Sequence, residues 1–149
     1  MEIKKARIVD AEILTDLTLK SKAYWKYGDE QIENWRADLS ISSQYISENE
    51  VYNLLYGNQI IAYYSYFSLG REKVKLDNMF IHPDFIGKGF GKVLMSDFMS
   101  RAKRQGFNRV ALDADPNAKG FYMKRGFRVI GKQETSINNR FLPIMEKAI

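Results

Sequence analysis

The run Ile86-Gly87-Lys88-Gly89-Phe90-Gly91-Lys92 carries the most chemical suggestion in the chain. It lies between a strand-like stretch that ends at Ile81 and an amphipathic helical repeat that begins near Gly89. A helix N-terminus presents unbonded N–H groups and the positive end of the helix dipole. Glycines let a ligand reach the main chain unobstructed, and Lys88 and Lys92 add full charges. The combination suits a phosphate or pyrophosphate. The alternative is a tight turn built from three glycines and nothing more. Two nucleotide cradles fail on spacing. A P-loop ending at Gly91-Lys92 requires glycine where Ile86 stands and Ser or Thr where Val93 stands. A Gly-x-Gly-x-x-Gly fingerprint puts its third glycine on Lys92 or on Leu94.

Other chemistries are removed by what the chain lacks. Among 149 residues there is no cysteine, so disulfides, thiolate nucleophiles and cysteine-ligated metals are excluded. A single histidine, His82, rules out a multi-histidine metal site, and no metal is expected. It also excludes a Ser-His triad unless His82 is the base, and beside Pro83 it reads as a turn residue. With 23 Lys+Arg against 18 Asp+Glu, the net charge of +5 favours an anionic ligand. These charges are dispersed and accompany no RRM or helix-turn-helix motif, so no nucleic-acid partner is expected. No apolar stretch is long enough to span a membrane, and Met1 to Arg7 leads into no signal-peptide core. The expectation is a cytoplasmic protein without a membrane partner, folded as a single domain over 1–149.

The elements that must hold the glycine-rich run follow from periodicity and punctuation. Ile3 to Val9 alternates as a first strand. Asp10 then caps a helix with Ile13, Leu14 and Leu17 on one side. A second helix starts near Asp29, with Ile32, Trp35 and Leu39 at helical spacing. Val51–Tyr56 and Ile60–Leu69 form a hairpin around Gly57-Asn58. Val74–Ile81 is a further strand. Phe90, Leu94, Phe98 and Ala102 recur every fourth residue, widened by Met95 and Met99, up to a stop at Gly106. Arg109–Ala114 is a strand, Asn117–Lys124 a short helix, and Phe127–Gly131 and Phe141–Met145 are strands about an Asn138-Asn139 turn. The fold class is α/β (α+β), with a mixed sheet of about seven strands and helices on both faces.

The glycine-rich run and two flanking blocks resemble the GNAT superfamily, the Gcn5-related N-acetyltransferases. Ile86-Gly87-Lys88-Gly89-Phe90-Gly91 is similar to that family's acetyl-CoA motif, Gln/Arg-x-x-Gly-x-Gly/Ala. Leu76 to Pro83 is similar to its fourth strand. Asn117 to Phe127, with Phe121-Tyr122 and Gly126-Phe127, resembles its second conserved block. The matching blocks lie between Lys75 and Phe127, and the element order fits across the chain. Ile86 departs from the usual Gln or Arg, so main-chain donors and Lys88 or Lys92 must carry the phosphate contact.

The resemblance implies an enzyme that transfers the acetyl group of acetyl-CoA directly to an amine of a small molecule, peptide or protein. The alternative is a module that senses acyl-CoA without turnover. It also implies that Met79, Phe80 and Ile81 pair with the pantetheine arm, and that an N–H of Phe80 or Met79 polarises the thioester carbonyl. Gly87, Lys88, Gly89, Phe90, Gly91 and Lys92 take the pyrophosphate, while Asn117, Phe121 and Lys124 complete the cofactor site. Tyr122 matches the residue that protonates the leaving thiolate; the other reading makes Phe121 and Tyr122 a core pair, and Asn117 a helix cap. The general base is Asp77, with Asp113, Asp115 or water as alternatives. The acceptor side takes in Tyr24, Trp25, Tyr27, Asp29, Glu30 and Trp35, and residues 135–140. These aromatics either attract a cation or seal a core edge. A monomer or homodimer is expected.

Overall fold

A computed structural model describes residues 1–25, 27–135 and 140–149. Strand β1 (Glu2–Lys5) is shorter than the alternation suggests. Ala6 N–H still bonds Val51 O at 2.9 Å, and Ile8–Asp10 then coils into a 3-10 turn. Asp10 closes that turn rather than capping the helix that follows. Its carboxylate accepts from Arg7 N–H (2.9 Å) and from the buried Asn53 amide (3.1 Å). Helix α1 (Ala11–Tyr24) buries Leu14, Leu17, Thr18 and Ser21. Ile13, expected on the buried side, is 49% exposed because it lies off that stripe.

Helix α2 (Asp29–Leu39) agrees with the periodicity and buries Ile32. Helix α3 (Ser43–Glu48) has no counterpart in the sequence expectation; six residues are too few to show a period, and the Ser42 hydroxyl caps it by accepting from Tyr45 N–H. Strands β2 (Glu50–Tyr56) and β3 (Gln59–Ser68) form the expected hairpin. Gly57 and Asn58 both take positive φ, 58° and 65°, as a tight hairpin turn of this length demands. Then come β4 (Lys73–Ile81), a 3-10 turn at Pro83–Phe85, α4 (Phe90–Arg104) and β5 (Arg109–Asp113). The expected helix from Asn117 is a 3-10 turn at Pro116–Ala118 followed by α5 (Lys119–Lys124). Strands β6 (Arg128–Glu134) and β7 (Phe141–Ala148) close the chain, and the Asn138-Asn139 turn lies outside the described residues. The strand order is β1-β2-β3-β4-β5-β7-β6, with β4 and β5 parallel and the β1–β2, β2–β3, β5–β7 and β6–β7 pairs antiparallel. The expected mixed α/β sheet is borne out.

The chain resolves into two compact units, Met1–Tyr66 with Asn78–Phe98, and Phe67–Asp77 with Met99–Ile149. In the first, β3 is buried from Ile61 to Tyr66. Consecutive strand residues point to opposite faces. The Tyr63 hydroxyl meets Thr18 Oγ1 of α1 at 2.5 Å, while the Tyr64 hydroxyl donates to Asp97 of α4 at 2.5 Å. One helix therefore covers each face. On the α4 side the fully buried Phe98 ring packs against Tyr64 (5.6 Å) and Tyr66 (5.2 Å).

In the second unit the Glu146 carboxylate of β7 accepts from the Lys73 ammonium and from Arg109 (3.4 Å). The Lys73 hydrogen bond, reinforced by both positive charges, holds its carboxyl below the usual carboxylate range. Among the described residues no helix is long and apolar enough to cross a membrane.

Phe98→Ala is expected to cost about 3–5 kcal/mol in urea unfolding without changing the m-value, since it empties a filled site against two tyrosines. A folded-state pKa below the unfolded one contributes stability that is present above about pH 4.3 and is lost as the pH falls through the folded value. Glu146→Gln should therefore lower Tm at pH 7 and flatten the fall of Tm between pH 5 and pH 3. Parallel Tm curves for the two proteins across that interval would contradict this assignment.

Candidate active site

The glycine-rich run lies within the first unit, on a scaffold of aromatic side chains. His82 opens the preceding 3-10 turn, with its Nδ1 accepting from Asp84 N–H at 3.1 Å. That is the turn role its position beside Pro83 suggests. The rings of Tyr56, Phe85 and Phe90 pack at 5.8–6.0 Å from one another. Phe90 thus anchors the start of α4 by its ring. Ile86 stands where the family motif has Gln or Arg; it is half-buried, and its N–H bonds Pro83 O at 3.3 Å.

Gly87 and Gly89 adopt φ of 81° and 89°, a backbone region that side-chain-bearing residues rarely enter. A Cβ added at either glycine would meet nothing within 4 Å, so open space lies beside the main chain at both positions. Lys88 reaches over the Phe85 ring (5.6 Å), and Lys92 is exposed in the first turn of α4. That turn holds no acidic residue, so no side chain of its own neutralises the positive end of the helix dipole. Gly91 is buried inside the helix.

Met79, Phe80 and Ile81 form the last residues of β4 and are half-buried. Phe80 packs against Tyr63 at 6.0 Å. The preceding Asn78 amide donates to Ser65 Oγ (2.9 Å) and to the Tyr45 hydroxyl (3.3 Å). This polar cluster draws on α3, β3 and β4, so no local spacing signals it. The same holds for Lys22, whose ammonium lies over the Phe80 ring at 5.9 Å.

The second unit carries the other group. Tyr122 on α5 is buried, with Phe121 edge-on at 5.3 Å and Phe127 at 5.7 Å. Burial, followed by the negative charge of Asp115, pushes its hydroxyl pKa well up, so it stays protonated. Phe121 lies beneath the Arg125 guanidinium at 3.8 Å, and Lys124 is exposed. The cap at this turn is not Asn117. Asp115 Oδ1 accepts from both Asn117 N–H (2.9 Å) and the Asn117 amide (3.0 Å), because Asp115 sits one residue before Pro116, at the cap position. Asp115 also pairs with Arg140 at 3.5 Å. Asp113 is committed to Lys75 at 2.9 Å. Asp77 is exposed on β4 and belongs to this unit.

On the expected acceptor side, Tyr24 (47% exposed) and Trp25 (41% exposed) meet edge to face at 5.0 Å and do not seal a core edge. Tyr27 and Trp35 are half-buried and meet at 4.8 Å. Asp29 and Glu30 are exposed in the first turn of α2. Residues 136–139 lie outside the described residues, and Thr135 Oγ1 donates to Arg140 O.

Residues 24–148 match the family model for the acetyltransferase (GNAT) domain. The peptidyl-lysine N-acetyltransferase YjaB of Salmonella typhimurium is 33% identical over 70 residues, 47% of this chain and 47% of that protein. The uncharacterised N-acetyltransferase ycf52 of Gracilaria tenuistipitata is 43% identical over 47 residues, 32% of this chain and 26% of that protein. The chain thus matches between a quarter and a half of the length of these curated relatives. In fold it is similar to the PaiA N-acetyltransferase of Thermoplasma acidophilum, solved with coenzyme A, at a TM-score of 0.81 and 22% identity, covering 99% of this chain and 98% of that one. A GCN5-related N-acetyltransferase from Rhodopseudomonas palustris superposes with a TM-score of 0.80 at 22% identity, covering 99% and 95%. A match over five-sixths of the sequence, spanning the glycine-rich turn and the Phe121-Tyr122 block, places the chain in the acetyltransferase (GNAT) domain family.

Proposed function

We propose that this chain transfers the acetyl group of acetyl-CoA directly to a primary amine. The observation that carries the reading is the pair Gly87 and Gly89, held at positive φ with open space beside them, at the N-terminus of α4, whose first turn holds no acidic residue, and beside Lys88 and Lys92. A pyrophosphate there would be met by main-chain donors, the helix dipole and two ammonium groups. Because the cradle is main chain, Ile86 does not weaken it. Coenzyme A bound to the Thermoplasma relative supports the same ligand class.

In this reading the main chain of Met79, Phe80 and Ile81 holds the pantetheine arm, and a donor in that stretch polarises the thioester carbonyl. Phe90 braces the cradle. The amine nitrogen forms the new bond to the acetyl carbon as the carbon–sulfur bond breaks, and the further proton that the acylated nitrogen sheds goes to solvent, from which the Tyr122 phenol is restored. Tyr122 gives its proton to the departing thiolate, and burial with the Asp115 charge keeps the phenol protonated until then. Asn117, Phe121 and Lys124 bind the cofactor beside it. Asp77 takes the proton of the incoming ammonium, with Asp113, Asp115 or water as alternatives; Asp113 pairs with Lys75, and Asp115 with the Pro116 turn and Arg140. The acceptor class includes the peptide lysine named for the Salmonella relative.

Millimolar acetyl-CoA should raise Tm, because a ligand that binds only the folded state must stabilise it. Free thiol should then appear with at least one member of a panel of polyamines, amino acids, aminoglycosides and lysine peptides. Absence of any Tm shift would sink the proposal; a shift without thiol release would leave a sensing module instead. Tyr122→Phe should lower kcat by about 10²–10⁴-fold while leaving the acetyl-CoA shift in place. A variant with undiminished kcat would return Tyr122 to the core-pair role.

A further inference from the structure

Lys22 lies in the last turn of α1, half-buried. Its ammonium nitrogen stands 5.8 Å from the centroid of Tyr27, 5.6 Å from that of Trp35 and 5.9 Å from that of Phe80. These rings come from three segments: the α1–α2 connection, α2 and β4. Two of them are held edge to face at 4.8 Å, and the third is braced by Tyr63, whose hydroxyl is tied to Thr18. One ring beside a lysine is commonplace. Three rings near-equidistant from one ammonium form a cage, the arrangement by which proteins select alkylammonium ions. The exposed Asp29 and Glu30, between Tyr27 and Trp35 in the chain, add negative charge in the same stretch.

We infer that Tyr27, Trp35 and Phe80 form a binding site for an alkylammonium group of the acceptor, and that Lys22 is its tethered occupant. The incoming cation displaces the Lys22 ammonium, which leaves on its flexible four-carbon stem. The cage favours the charged form of an amine, so it holds a second, non-reacting ammonium rather than the nucleophile. Acceptors with two amines, or an amine beside a fixed positive charge, are favoured over monoamines. That the cation belongs to an acceptor rests on the acetyl-transfer reading above; the cation site rests on the three rings and their distances to Lys22.

Tetramethylammonium, which has no acylatable nitrogen, tests the site without acetyl-CoA. Ring currents of the cage should move its methyl proton signal upfield in a saturable NMR titration. Lys22→Gln should bring half-saturation to a roughly tenfold lower concentration than wild type, since the internal competitor is gone. Lys22→Arg, which keeps a cation, should titrate like wild type. Adding Trp35→Leu or Tyr27→Leu to Lys22→Gln should abolish saturation, and the neutral isostere neopentyl alcohol should not saturate any of them. Equal half-saturation for wild type and Lys22→Gln, or indifference to both ring substitutions, overturns the inference. In the free-thiol assay Lys22→Gln should lower KM for 1,4-diaminobutane relative to butylamine. The expected titration pattern with no thiol release keeps the cage and rejects acetyl transfer; thiol release with no dependence on Lys22 or the rings does the reverse.

Discussion

The first unit depends on one strand buried on both faces. Between Ile61 and Tyr66, β3 exposes no residue to solvent, so neither face can carry an unpartnered polar atom cheaply. Tyr63 and Tyr64 meet this constraint in opposite directions. Each buries a ring and must find a partner for its hydroxyl. Thr18 on α1 supplies one and Asp97 on α4 the other. Two neighbouring phenols thereby fix a helix on each side of the strand. Phe98 fills the space beside one, and Phe80 leans on the other. The start of α4, with its glycine-rich turn, and the aromatic group around Lys22 are both held through these contacts.

The glycine-rich turn combines a conformational demand with an electrostatic one. Its glycines occupy φ values that other residues resist, and their missing side chains leave the main chain open. Phe85, Phe90 and Tyr56 pack beneath it, so the open backbone rests on a close-packed base. In the second unit Tyr122 follows a different principle. Its protonation is set by burial: desolvation and the Asp115 charge both oppose loss of the phenol proton. Asp115 does this while capping the turn that leads into α5, so one carboxylate serves both the local fold and the acidity of its neighbour.

Sequence reasoning succeeded where the determining physics is local. The Gly57-Asn58 hairpin, the four-residue stripe of α4 and the turn at His82-Pro83 are each written in a few adjacent residues. It failed where a distant group wins a competition. Asp10 has the type and position of a helix cap, yet Arg7 N–H and the Asn53 amide claim its carboxylate. Asn117 looks like a cap, but Asp115 reaches that position first. Helix α3 is one turn and a half, too short for periodicity to register. Ile13 is apolar and adjacent to Leu14, but the helix turns it away from the sheet.

The sequence alone excluded whole classes of chemistry. Without cysteine, and with one histidine, no thiol nucleophile, cysteine-ligated metal or multi-histidine metal centre can form. Glycine spacing removed two nucleotide cradles and left a phosphate cradle or a tight turn as the readings, because backbone conformation and helix position are encoded over a few residues. Tertiary structure decided which charged groups remain available and what surrounds them. Asp113 pairs with Lys75 across 38 residues, and the three rings around Lys22 come from segments up to 58 residues away. No local spacing encodes such meetings, since they arise only when β4 pairs with β5 and, in the first unit, when the helices pack on β3.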